Sequence, residues 1–159
     1  DRKLKMILLN NILGGPGMNT RLNLNIREKY GFAYTIESQY NAYSDTGNFA
    51  VYMGVDPHSR ERAIELVFKE LDKLKTQRLG TLQLSNAKKQ LIGQVALSNE
   101  SGMNELLGIT RSAFYEEHIE TLSETITKLQ SITSDELMDV ANEIYCEDNI
   151  NMLIFNGME

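Results

Sequence analysis

The chain has 159 residues, 42% of them hydrophobic and 24% charged, with a net charge of −6. That length suits one ordinary domain with a single core, and the balance is that of a soluble globular protein. The acidic charge and the lack of a dense basic stretch argue against nucleic acid or a membrane surface as partner. The longest apolar run, residues 6–9, is far short of the ~20 residues that a membrane span needs. One cysteine, Cys146, allows no internal disulfide and favours a reducing, cytoplasmic setting. No leader segment is visible. The abrupt start, without an initiator Met, reads as a piece of a longer chain and leaves room for a removed leader.

Leu4, Ile7, Leu8 and Ile12 recur at helical spacing and predict a first helix. Gly14-Gly15-Pro16-Gly17 stops it, since glycine tolerates the left-handed cap and proline donates no bond to the preceding turn. Asn19 or Thr20 can cap a second helix, with Leu22, Ile26 and Tyr30 on its apolar side. Gly31 ends that helix, and Phe32-Ala33-Tyr34-Thr35-Ile36 has strand composition. Arg27, in the last helical turn, and Tyr34, early in the strand, therefore flank one tight turn. Both carry strong donors that one point could receive.

The strand at residues 32–43 leads through Ser44-Asp45-Thr46-Gly47-Asn48, a turn, into a second strand at 46–55. Asp56-Pro57 opens a helix carrying Ala63, Ile64, Val67, Phe68, Leu71 and Leu74, with its stop at Gly80. A helix over 82–98 comes next, then another over 103–117. Thr121-x-x-Glu124 and Thr133-x-x-Glu136 are capping boxes that start two shorter helices. The alternating run at 150–155 reads as a last strand, extending over 149–156 in one sheet with the other two. Clustered strands followed by clustered helices predict an α+β fold, an antiparallel-rich sheet with helices layered on one face.

The stretch NNILGGPGMNTRL followed by IREKYGFAY resembles the C-terminal homologous domain of the insulinase and pitrilysin zinc metallopeptidases, the mitochondrial processing peptidases among them. The leucine-glycine-glycine turn, the small residue–Arg–Leu helix start, the Arg-Glu pair and Gly-hydrophobic-Ala-Tyr stand in the family's order. The spacing of Arg27 and Tyr34 matches the family's substrate-binding pair, and weaker similarity continues to the C-terminus. The resemblance implies half of a clamshell peptidase. Residues 1–159 would form the substrate-binding C-terminal half, lacking the first strands of its domain. Zinc would be bound by a homologous N-terminal half or partner subunit, and a peptide would lie between them. Arg27 and Tyr34 would then hold the substrate backbone and the developing oxyanion.

The zinc motif of that family is H-x-x-E-H. His58-Ser59-Arg60-Glu61-Arg62 departs from it, with an arginine in place of the second ligand, and a guanidinium does not coordinate zinc. The pentad reads better as a polar helix start. His118 has no partner at i+4, and Cys146 has no histidine near it. No metal or cofactor site is expected in this chain, which should be inactive alone. The glycine turn lacks the lysine and the preceding strand of a phosphate loop. On pattern alone Arg27 and Tyr34 also have a plain reading, a surface arginine beside Glu28 and a half-buried strand tyrosine. The alternative function is a non-catalytic scaffold or subunit-interaction module of the same fold; a small-molecule binding domain has no positive feature.

Overall fold

The hydrophobic pattern buries one helix at the centre and arranges everything else around it. In the computed structural model, which describes residues 2–43, 45–115, 119–146 and 150–156, this is α1, Arg2–Gly14. It packs on β1 on one side and on α3, α5 and α6 on the other. Met6, Leu8, Leu9 and Leu13 are accordingly all buried, a wider face than the single expected stripe. Two polar residues follow them inside. Asn11 donates to Gln94 Oε1 at 2.6 Å, and the Asn10 carbonyl accepts from Ser38 Oγ at 3.3 Å.

After a short π-helical segment at Asn23–Glu28 comes the hairpin of β1, Ala33–Ala42, and β2, Gly47–Val55. The pairing is antiparallel, from Ala42 opposite Gly47 back to Ala33 opposite Val55. Ala33, Ile36 and Ser38 face the core, with Phe49, Val51, Met53 and Val55 from β2 beside them. The opposite face, with Tyr52, Glu37 and Gln39, lies in solvent. Asp56 then accepts from the His58 N–H at 3.0 Å and opens a 3₁₀ turn, Pro57–Ser59, as the Asp-Pro pair predicts.

The remaining helices are α2, Arg60–Thr76, α3, Thr81–Asn99, α4, Gly102–Tyr115, α5, Leu122–Ser131, and α6, Ser134–Ile144. Both capping boxes are present. The Glu124 and Glu136 carboxylates accept from the Thr121 and Thr133 amides at 2.7 and 2.8 Å, and the threonine hydroxyls accept in return. The architecture is therefore α+β, helix-rich, with helices over one face of an antiparallel hairpin. No helix among the described residues is long and apolar enough to cross a membrane.

Two expectations need correction. Helix α2 stops at Thr76, and Gly80 instead precedes α3, its N–H donating to Gln83 Oε1 at 3.3 Å. Tertiary contacts draw the chain out of the helix early. Leu79 packs against the core while its carbonyl accepts from Ser134 Oγ at 3.1 Å, and the Lys75 carbonyl accepts from Asn142. Residues 150–156 form no strand; residue 149 lies outside the described residues. Alternation makes a strand only where a ladder edge receives it, and among the described residues the sheet has two strands. Leu153 and Phe155 stay exposed, and the segment is tied down by Arg60 Nη1 donating to Asn156 Oδ1 at 2.8 Å.

Glu136 carries a stability that depends on pH. A hydrogen bond from Lys5, at 2.7 Å, and then the Thr133 amide hold its carboxyl at about 2, below the ordinary 4.5. A depressed carboxyl stabilises the fold above 4.5 and loses that contribution as pH falls toward about 2. Glutamine at this position keeps the capping acceptor without the charge. Glu136→Gln should thus lower the urea midpoint at neutral pH by a small amount, since the pair is partly exposed and screened. The gap between parent and variant should close as the solution is acidified through that window.

Candidate functional site

The site is built on the residues between α1 and β1. Helix α1 runs so close to β1 that a Cβ on Gly14 would lie 2.7 Å from the Ser38 backbone nitrogen and 2.8 Å from Leu22 Cδ1. At Gly15 it would meet Asn11 Cα at 2.8 Å. These glycines are demanded by close approach. Asn19 Nδ2 then donates to Gln90 Oε1 on α3 at 2.8 Å, which pins the far end of the turn. The buried Thr20 accepts from Asn23 Nδ2 at 2.9 Å.

The next segment is wider than the expected α-helix. Its π-helical turn takes in more residues than an α-turn, which lets Leu22, Asn23 and Ile26 all point inward. The phase then drifts, and Tyr30, expected on the apolar side, is 41% exposed and stacks on Phe32 with ring centroids 5.3 Å apart. Gly31 takes φ +66 and its N–H donates to the Arg27 carbonyl at 2.9 Å, a left-handed helix end that reverses the chain. Arg27 is half-buried, and its Nη1 donates to Met18 Sδ at 3.7 Å.

A second irregularity lies just beyond Gly31. Between Ala33 and Thr35 the register slips, because Ala33 faces Val55 while Thr35 faces Gly54. Tyr34 is the extra residue of a β-bulge. Bulges re-aim side chains, and this one shifts the inward phase from Ala33 to Ile36 and leaves Tyr34 75% exposed. The half-buried alternative for this tyrosine does not hold. No hydrogen bond joins the Arg27 and Tyr34 side chains, which stand on either side of the turn at Gly31.

The family model described as the peptidase M16 inactive domain matches residues 1–91, which contain the whole of this arrangement. The chain belongs to the peptidase M16 inactive-domain family. It is 29% identical over 154 residues to an uncharacterized zinc protease, YmxG, of Bacillus subtilis, a match covering 97% of this chain and 37% of that protein. A crystal structure of a peptidase M16 inactive domain from Pseudomonas fluorescens is similar with a TM-score of 0.76 and 25% identity, covering 89% of this chain and 34% of that one. A conserved protein from Enterococcus faecalis V583 shares the fold with a TM-score of 0.81 at 23% identity, over 89% and 33% of the two chains. The chain thus spans about a third of the length of each of these three proteins.

In this M16 inactive domain the donor set of the described residues does not fit zinc. Among the described residues no group of three His, Cys, Asp or Glu side chains is placed to hold a metal. His58 sits in the 3₁₀ turn beside Arg60, which is turned to Asn156, and Arg62 pairs with Glu65 at 2.6 Å. His118 lies outside the described residues. Cys146 is free and half-buried.

One residue of the site region escaped the sequence reading. Glu70 is 3% exposed on α2, with Oε1 2.6 Å from Lys73 Nζ and Oε2 3.9 Å from Arg21 Nη1. Burial draws the Arg21 guanidinium below its ordinary pKa while the Glu70 charge opposes that. The pair ties the start of the Arg27 segment to α2. Its signal was present: Glu70 stands four residues before Leu74, on the apolar stripe, where an unpaired acid is costly.

The glycines allow a test of opposite signs. Gly14→Ala should cost about 1–3 kcal/mol, because its new methyl meets backbone that has no room to move. Gly93→Ala, in the interior of α3 with nothing within 4 Å of the new Cβ, should stabilise by about 0.5–1 kcal/mol. Denaturant unfolding of the two variants beside the parent checks both.

Proposed function

We propose that this chain is the substrate-binding half of a zinc-dependent endopeptidase, working opposite a homologous half or partner subunit that holds the zinc. The observation that carries this reading is the double irregularity around Gly31. A π-helical segment presents Arg27 and a β-bulge presents Tyr34, on either side of one left-handed turn. An ordinary scaffold has no need to place an exposed tyrosine at a bulge. Membership of the M16 inactive domain and the zinc-protease name of the B. subtilis relative support the same reading.

In this reading the Tyr34 hydroxyl donates to the carbonyl oxygen of the scissile peptide as negative charge develops there. One well-placed donor of this kind is worth roughly 3–4 kcal/mol of transition-state stabilisation. The Arg27 guanidinium, planar and always charged, holds neighbouring peptide carbonyls in the ground state as well. Residues 1–159 alone do not cleave peptides, because they supply the donors and not the nucleophile. The scaffold alternative would keep the fold without needing either side chain.

Both substitutions belong in the full-length enzyme with its zinc half. Tyr34→Phe removes one exposed hydroxyl, so folding should survive while kcat falls by up to ~100-fold. Arg27→Ala should raise KM and lower kcat together. Peptide hydrolysis at the parent rate by the double variant would move the chain to the scaffold reading.

A further inference from the structure

We infer that Met18 is the positioning residue for Arg27, holding the guanidinium ready for substrate through a neutral sulfur contact. The inference rests on the proposed role of Arg27 in binding peptide. Four observations converge on it. The Arg27 guanidinium makes no ion pair with a carboxylate among the described residues, and its hydrogen bond goes to Met18 Sδ at 3.7 Å. Met18 is 62% exposed, so core packing does not account for a methionine there.

Side chains crowd the turn that carries Met18. Asn19 is bound to Gln90 on α3, and Gly17 fits so tightly that a Cβ there would lie 2.6 Å from Asn19 Oδ1 and 2.7 Å from Gln90 Nε2. The sulfur is thus carried by a turn that is tied to α3 at its next residue. Finally, Arg27 itself lies on the π-helical segment, where the backbone departs from the regular path.

The chemistry favours a thioether over the usual partner. An arginine side chain has about 2 kcal/mol of rotamer entropy to lose when it is fixed in place. A carboxylate partner would fix it, but would also neutralise it and occupy two of its donors. Methionine sulfur is a weak acceptor on a flexible, polarizable stem. It restrains one nitrogen and leaves the remaining N–H donors, with the full positive charge, for peptide carbonyls. Part of the ordering is then done before substrate arrives, which is what preorganisation contributes to affinity.

The test is a double-mutant cycle in the full-length, zinc-loaded enzyme. Met18→Leu keeps the apolar volume and removes the acceptor; it is combined with Arg27→Ala. An internally quenched fluorogenic peptide that the parent cleaves gives KM and kcat separately. Anisotropy with a labelled form of that peptide, on metal-free protein, gives binding without turnover. Met18→Leu should weaken binding and raise KM by about three- to ten-fold in the Arg27 background, with kcat changed less. In the Arg27→Ala background the same change should have no effect within two-fold, roughly the additivity expected of uncoupled sites. Equal effects in both backgrounds would overturn the positioning role while leaving Arg27 as a substrate residue. Parent-like binding and turnover by Arg27→Ala alone would overturn both readings together.

Discussion

Everything near the candidate site depends on how closely the end of α1 approaches β1. A side chain at Gly14 would overlap the Ser38 backbone, so helix and strand meet there with nothing between them. That contact makes α1 the axis of the core, with Leu8 and Leu13 wholly buried. It also forces a polar account, because a helix so enclosed brings its own amides and asparagines inside. Asn11 answers with Gln94, and the Asn10 carbonyl with Ser38. The chain has no space to leave α1 gradually. It must turn at once, which is the work of Gly15, Pro16 and Gly17.

Beyond the turn the backbone expands locally twice, once in a helix and once in a strand. The π-helical segment and the bulge at Tyr34 stand on opposite sides of Gly31. Each sacrifices regular pairing, and each is compensated by apolar burial next to it, Leu22 and Ile26 in one case and Ala33 and Ile36 in the other. Irregular backbone persists where surrounding packing over-determines it. Here the same core that requires the glycine turn supplies that packing.

Much of this was legible in the residues because it is local chemistry. The capping threonines, the Asp-Pro helix start, the hairpin turn and the glycine stop are written in adjacent side chains and backbone. The family resemblance was legible for a related reason, since its motif is an ordered run around the turn. Long-range effects were not. Gly80 looks like a helix stop, yet Ser134 and the core hold Leu79 in an extended path before it. Residues 150–156 alternate like a strand, and alternation says nothing about whether an edge is present to receive them. The π-turn and the bulge were hidden because Leu22 and Ile26 fit an α-helical spacing equally well. One extra residue becomes visible only where the phase fails, at exposed Tyr30 and at the step from Ala33 to Ile36.

The two arginines of the central segment show how placement divides one residue type into two fates. Arg21 and Arg27 are six residues apart on the same stretch. Arg21 lies toward α2, where the buried Glu70 carboxylate, which also pairs with Lys73, opposes its charge from 3.9 Å. Arg27 faces the glycine turn, where it donates to a thioether that leaves its charge uncompensated. An interior pair of the first kind gains little net free energy, since desolvation offsets attraction, but it is costly to break and so fixes the segment in place. A guanidinium of the second kind contributes little to the fold and keeps its donors available. Arg21, set against the buried Glu70, anchors the segment, and Arg27 is the cation that anchoring leaves beside the turn.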